Sequence, residues 1–412
     1  MDAWRRALLA VVCGVAVASV YAAQPVLEPM ARDLGVPARL SGWIVATGQL
    51  GYLAGLVLLV PLGDVADRRR LIAAHLAVTA SGLVLVASAP VAWVAFAGFA
   101  VAGMFAVVVQ TAVAYAASVS PPAERGRTIG VVTSGVVAGI LGARVVTGAL
   151  AEVWGWRGVY AVLAVLSLAF AALVPAFLAP EERPRPPAGR RRVVAVPLGG
   201  LLGQRLFLTR GLIAFFLFAS FGSLWSGLSL PLAGPPWRLG ESQIGLFGLA
   251  GLAGALGAAR AGRWADAGRA SRVTRAALAL LVLSWAAIAQ LPRSLWLLAA
   301  GIVVLDLAVQ AVHVSNQHLL TAAYPERTSA VIGGYMVFYS LGSALGAAAT
   351  TAAFAAWGWA GSSLLGAGFA ACALAVRAAG GPCWGSCGRS ISCPAPSSAS
   401  CCSPSSAGRA RP

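Results

Sequence analysis

The sequence predicts an all-α membrane protein, with twelve transmembrane helices arranged as two six-helix bundles. Three observations predict it. First, the chain is 59% hydrophobic and 10% charged, with a mean hydropathy of +0.82, whereas soluble domains carry roughly a quarter charged residues. Second, it divides into twelve apolar runs, each near the ~20 residues needed to cross the hydrocarbon of a bilayer. Third, landmarks in the first six runs recur in the last six.

In chain order the runs cover residues 7–29, 40–62, 71–89, 91–117, 128–153 and 158–178, then 207–232, 243–263, 273–291, 294–322, 329–356 and 360–379. Backbone groups in lipid must be satisfied within the segment, so each run reads as a helix. Arg5 and Arg6 before the first run look like the start of a signal peptide. Because apolar runs continue through the whole chain, the first reads instead as a retained span. The divide falls at residues 179–206, where Glu181-Glu182-Arg183-Pro184-Arg185-Pro186-Pro187 and Arg190-Arg191-Arg192 read as a solvated linker. The expected organisation is therefore a first bundle at 1–178, a linker at 179–206, a second bundle at 207–379 and a tail at 380–412. The tail is rich in Ser, Pro and Cys, reads as disordered, and changes composition abruptly enough to suggest a frame change in the coding sequence.

The net charge is +17, and all 30 basic residues are Arg. Their placement argues against a nucleic-acid surface, because they cluster between apolar runs. An even span count puts both termini on one side, and 24 of the 30 Arg fall in the loops or ends of that side. Positive loops mark the cytoplasmic face. The expected location is the plasma membrane, multi-pass, with both termini in the cytoplasm. Of seven Cys, only Cys13 and Cys372 lie in the body, so no disulfide framework is implied.

The repeat has four landmarks. Gly63-Asp64-Val65-Ala66-Asp67 recurs as Gly262-Arg263-Trp264-Ala265-Asp266, and Gln110 as Gln310. Glu124-Arg125 recurs as Glu326-Arg327, and Trp154-Gly155-Trp156 as Trp357-Gly358-Trp359. The offset drifts slowly from 199 to 203 residues. Parallel repeats of this size with a site at their interface are a transporter architecture.

On these residues the chain resembles the major facilitator superfamily over about 5–379. Gly63 to Arg70, with its echo Gly262 to Arg269, is similar to that family's cytoplasmic loop signature. The Tyr21 to Pro25 segment and the Gln310 to Gln317 segment resemble bacterial drug- or metabolite-efflux members. The resemblance implies alternating access. It assigns a gate to Gly63, Asp67, Arg68 and Arg125, with Asp266 and Arg269 in the second half, and Asp67 is expected to pair with Arg125 or Arg127. The chain departs from antiporter members at two places. Its fourth span has no Arg, and its fifth carries Gly135, Gly139 and Gly142 followed by Ala143-Arg144 in place of Gly-Pro.

Span ten carries Asp306, Gln310, His313 and Gln317 at i, i+4, i+7 and i+11, within roughly a 60° wedge of the helix. A charge at mid-membrane costs about 2.5–3.5 kcal/mol on insertion scales, so Asp306 with His313 reads as a proton-coupling pair. Gln310 and Gln317 suit either substrate contact or an interhelical bond. In span five, Gly135, Gly139 and Gly142 form a small face for helix packing. Arg144 points the other way, either into a cavity, toward an anionic substrate group or Asp306, or snorkelling to an interface. Tyr21, Gln24, Gln49, Tyr52, Gln110, Tyr335 and Tyr339 are further cavity candidates, each equally suited to buried packing. Trp225 suits a cavity or a membrane interface, and Glu28 is placed to pair with Arg32.

No metal spacing, phosphate loop or catalytic constellation is present in the sequence, so no cofactor and no enzymatic activity is implied. The expected partners are a small-molecule substrate, protons and the lipid bilayer, with the protein a monomer. The expected function is proton-coupled efflux of a small organic molecule. The alternatives are an uncoupled or importing facilitator, or a transport-dead membrane sensor or scaffold.

Overall fold

The computed structural model describes residues 2–64, 66–121, 124–180, 198–264, 270–324 and 327–379, and is all-helical there, with no strand among the described residues. The expected tail at 380–412, the Arg-rich stretch 181–197, and Asp266 and Arg269 lie outside the described residues.

The first half contains α1 (Ala3–Tyr21), α2 (Leu27–Asp33), α3 (Gly42–Leu58), α4 (Arg68–Ala87), α5 (Ala92–Phe105), α6 (Val108–Ser118) and α7 (Arg125–Phe177). The second contains α8 (Leu198–Leu202), α9 (Arg205–Gly227), α10 (Ser229–Ala233), α11 (Glu241–Trp264), α12 (Ala270–Ile288), α13 (Leu295–Ala323) and α14 (Thr328–Ala379). Spans five and six are one unbroken assignment, α7, and spans eleven and twelve are α14. Each is folded back at a glycine of positive φ, Gly155 at 66° and Gly358 at 60°, a conformation open to Gly because it lacks Cβ. Among the described residues eight helical segments are long and apolar enough to cross a membrane, the folded α7 and α14 counting once each, an arrangement that fits the expected twelve crossings.

Three boundaries differ from expectation. The first run is not one helix: α1 ends at Tyr21, a turn covers 22–26, and α2 follows. Pro25 has no N–H to continue the ladder. The fourth span is broken between α5 and α6, where Gly103 presses on α3 so closely that a Cβ would stand 2.1 Å from the Gly48 carbonyl oxygen. The linker's last residues form α8, and α9 begins at Arg205.

Packing repeats between the halves. α1 packs on α7 as α9 packs on α14, and α3 on α5 as α11 on α13. At the first of these seams, a Cβ on Gly135 would stand 2.0 Å from the Ala10 carbonyl oxygen and one on Gly139 2.5 Å from that of Gly14. In the second half, Gly342 and Gly346 stand equally close, at 2.1 Å, to the carbonyls of Phe215 and Ala219. Lipid offers no hydrophobic drive between helices, so such backbone-close seams, rich in dispersion contact, hold them together. Gly142 does not join its seam, since a Cβ there would meet nothing within 4 Å.

The halves meet through α3 with α14 and α7 with α11. Gly42 lies under the Ala347 carbonyl and donates its N–H to Thr351 Oγ1 at 3.1 Å. Gly148 faces the Glu241 carbonyl, and Gly245 that of Arg144. These approaches lie at the end of the bundle reached after one crossing, away from where α1 begins and α14 finishes.

Candidate functional site

Between the halves lies a cavity of about 310 Å³. The first half supplies Tyr21 from α1, Gln49 and Tyr52 from α3, Gln110 and Val113 from α6, and Thr133 from α7. The second supplies Phe218 and Phe221 from α9, Asp306, Gln310, His313 and Gln317 from α13, and Met336 and Tyr339 from α14. All four polar positions of the α13 stripe are on this wall. The stripe is one-sided because residues between its members, such as Ala308, Val309 and Val312, are fully buried against other helices. Thr133 and Val314, both lining residues, are exposed.

The polar groups are linked in pairs. Tyr21 and Tyr339 share a hydroxyl–hydroxyl bond across the two halves. Gln110 Nε2 donates to the Tyr52 hydroxyl at 3.1 Å. His313 Nδ1 lies 3.0 Å from the Tyr335 hydroxyl, and its Nε2 lies 3.2 Å from Gln317 Nε2. With the Gln317 amide donating, Nδ1 carries the ring proton toward Tyr335. Phe218 stacks beside both His313 and Tyr339, at centroid distances of 5.3 and 4.0 Å.

Arg144, Gln24 and Tyr335 are not on the wall. Arg144 is 2% exposed and sits one layer behind it. Its Nε donates to Gln24 Oε1 at 3.0 Å and an Nη to the Ile140 carbonyl at 3.2 Å. Its guanidinium is boxed by three rings: Trp225 at 3.7 Å from the centroid, Phe221 at 5.6 Å and Tyr21 at 5.8 Å. It therefore neither snorkels nor meets the cavity, because aromatic side chains from both halves close over it. Asp306 is 1% exposed; neither carboxylate oxygen meets a donor in full hydrogen-bond geometry, and the Trp225 indole N–H is the donor that interacts with it. Its charge interacts with that of Arg144 through space.

Sequence reasoning singled out Trp225 on α9 but missed the two rings beside it. Phe218, Phe221 and Trp225 stand at i, i+3 and i+7, a spacing that puts them on one helix face. It also missed Arg210, 5% exposed, which donates to Asn316 Oδ1 at 3.2 Å.

At the loop after α3, Asp67 caps α4 by accepting from the Arg69 N–H at 3.0 Å, and lies 3.8 Å from Arg70. Arg69 donates to the carbonyls of Pro175 and Leu178. These ion-pair and capping partners replace the expected Arg125 or Arg127, since the helix N-terminus already draws the carboxylate in. Gly63 lies beside Arg68, whose Nε would be 3.9 Å from a Cβ there. Arg125 is exposed. Neighbouring Glu124 pairs with Arg6 at 3.6 Å, and Glu28 pairs with Arg32. Among the described residues no group of three His, Cys, Asp or Glu is placed to hold a metal ion.

A sequence profile of the Major Facilitator Superfamily matches residues 9–237. The putative uncharacterized transporter YgaY of Escherichia coli K12 is 40% identical over 369 residues, which is 90% of this chain and 93% of that protein. The probable transporter SCO4007 of Streptomyces coelicolor is 33% identical, covering 86% and 82% of the two chains. Among solved structures, a bacterial homologue of the human lysosomal transporter Spinster, inward-facing and unoccupied, superposes with a TM-score of 0.71 at 16% identity, covering 92% and 93% of the two chains. The nucleoside transporter NupG superposes with a TM-score of 0.72 at 12% identity, covering 91% and 99%. At these identities the superpositions speak for the fold alone.

Proposed function

The chain belongs to the major facilitator superfamily, and we propose that it exports a small organic molecule across the plasma membrane in exchange for protons. That it is a multi-pass membrane transporter follows from the family. Direction, coupling and cargo are the proposal.

The observation that carries the proposal is Asp306: a carboxylate on the cavity wall with no donor in full hydrogen-bond geometry, beside a buried guanidinium. A group so placed is expensive to keep ionised. It gains by binding either a proton or a polar substrate group, and competition between the two couples their fluxes. The amides Gln49, Gln110, Gln310 and Gln317 supply donors and acceptors around it. Phe218, Phe221 and Tyr339 supply apolar faces for the body of the cargo. With the Arg-rich loops cytoplasmic, the mouth of the cavity faces the cytoplasm. The Gly42, Gly148 and Gly245 approaches form the closed outer gate, and the loop holding Gly63, Asp67 and Arg68, with Arg125 at the start of α7 and with Asp266 and Arg269 of the second half, guards the inner side. Alternating access is then a rocking of the halves about Asp306. The protein acts as a monomer, without covalent chemistry on its cargo.

The test begins with a ligand panel scored by thermal stabilisation, whose hits are then assayed for flux in proteoliposomes. Asp306→Asn is expected to abolish flux driven by an imposed pH gradient, and unchanged flux rejects Asp306 as the carrier. The missing Arg in α5 and α6 favours an uncoupled facilitator as the second reading. Wild-type flux indifferent to the pH gradient would select it.

A further inference from the structure

We infer that Trp225 is a positioning residue: its indole face holds the Arg144 guanidinium, and so keeps it from closing an ion pair on Asp306. The inference rests on the coupling role proposed for Asp306 and adds the residue that keeps that carboxylate available.

Two opposite charges on a buried floor attract strongly, yet Arg144 and Asp306 form no ion pair, and the carboxylate has no partner in full hydrogen-bond geometry, the Trp225 indole N–H being the donor that interacts with it. What restrains Arg144 is visible. Its guanidinium carbon lies 3.7 Å from the centroid of the Trp225 ring, a closer stack than either Tyr21 or Phe221 provides. Its Nε and one Nη are spent on Gln24 and the Ile140 carbonyl. The far edge of the same indole borders Asp306. A Cβ built on Gly251 of α11 would stand 2.9 Å from Trp225 Cζ2 and 3.1 Å from Asp306 Oδ2. Trp225 thus has its face to the cation, and its N–H-bearing edge interacts with the anion. Gly251 leaves the room in which the edge and the carboxylate lie side by side. Stacking satisfies a guanidinium without neutralising it, so Arg144 still acts on Asp306 through space while leaving its oxygens open to a proton or a substrate.

The test needs no cargo. N,N′-dicyclohexylcarbodiimide modifies protonated carboxyls in apolar surroundings. Its reaction at Asp306 is followed by peptide mass spectrometry on the purified full-length protein near neutral pH, with Asp306→Asn as blank. In Trp225→Ala the freed Arg144 pairs with Asp306, and labelling falls about tenfold or more, the scale of a desolvated cation–π contact. Trp225→Phe keeps a ring face and stays within about threefold of wild type. Trp225→Leu, which fills space without a π face, serves if the alanine variant does not fold. In the double variant Arg144→Gln/Trp225→Ala, labelling returns to the Arg144→Gln rate, because nothing is left to restrain. Labelling of Trp225→Ala at or above the wild-type rate overturns the inference, as does a double variant as slow as Trp225→Ala. Gradient-driven flux in Asp306→Asn tests the coupling role separately, so either claim can fail while the other stands.

Discussion

The two halves build the same wall with different chemistry. At the repeat offset of 200 residues, Asp306, Gln310 and His313 of α13 correspond to Ala106, Gln110 and Val113 at the break and along α6, and all six line the cavity. The scaffold around them is duplicated too: the small-residue seams at Gly135–Gly139 and Gly342–Gly346, and the folds at Gly155 and Gly358. Only the second half is ionisable on the wall at these positions. Packing is thus repeated across the halves while, among the described residues, the wall carries a carboxylate once, as the proposed single proton site needs. The first half's contribution to the electrostatics is Arg144, held out of the cavity.

The largest expected effect comes from erasing that difference. Ala106→Asp places a second carboxylate on the wall without a guanidinium behind it. At about 2.5–3.5 kcal/mol for an unpaired membrane charge, the amount of protein recovered from membranes should collapse. Normal yield would mean that the two walls are electrostatically equivalent. Next come the seams. Gly139→Leu and Gly346→Leu each force a side chain into backbone, and each should cost about 1–3 kcal/mol of stability, read as a loss of thermal stability in detergent. Gly142→Ala, which meets open space, should stay within about 0.5 kcal/mol of wild type. A large effect at only one of the two seams would break the symmetry argued for the packing.

The smallest effect concerns the folds between paired spans. Trp359 Nε1 donates to the Ile288 carbonyl at 3.0 Å in a buried setting, and that carbonyl also accepts from the Leu291 N–H at 3.1 Å, so Trp359→Phe removes one of two donors at a cost of about 0.5–1.5 kcal/mol. Trp156 Nε1 donates to Asp33 at 2.9 Å, but Arg157 also reaches that half-exposed carboxylate at 2.9 Å. Trp156→Phe should therefore cost under about 1 kcal/mol. Equal melting temperatures for the two variants would remove this distinction.

The features legible in the sequence are those that lipid imposes one helix at a time. Span positions, the Arg-rich loops and the α13 stripe follow from hydropathy and helical period, and Trp154-Gly155-Trp156 with its echo marks both folds. Features that depend on a neighbouring helix were not legible. Nothing in the run 91–117 announces the break between α5 and α6, which accompanies the approach of Gly103 to Gly48. Arg144 shows its helix face by spacing, but its enclosure depends on rings from α1 and α9. Gly142 has the spacing of a packing residue and no helix opposite it.

The central claim is that the single wall carboxylate couples the proton gradient to transport. The most direct measurement compares two fluxes of one panel hit in proteoliposomes containing the Asp306→Asn variant: flux driven by a pH gradient, and exchange of labelled for unlabelled molecule with no gradient. Exchange is expected to survive while gradient-driven accumulation is lost. Accumulation at the wild-type level in this variant would contradict the claim.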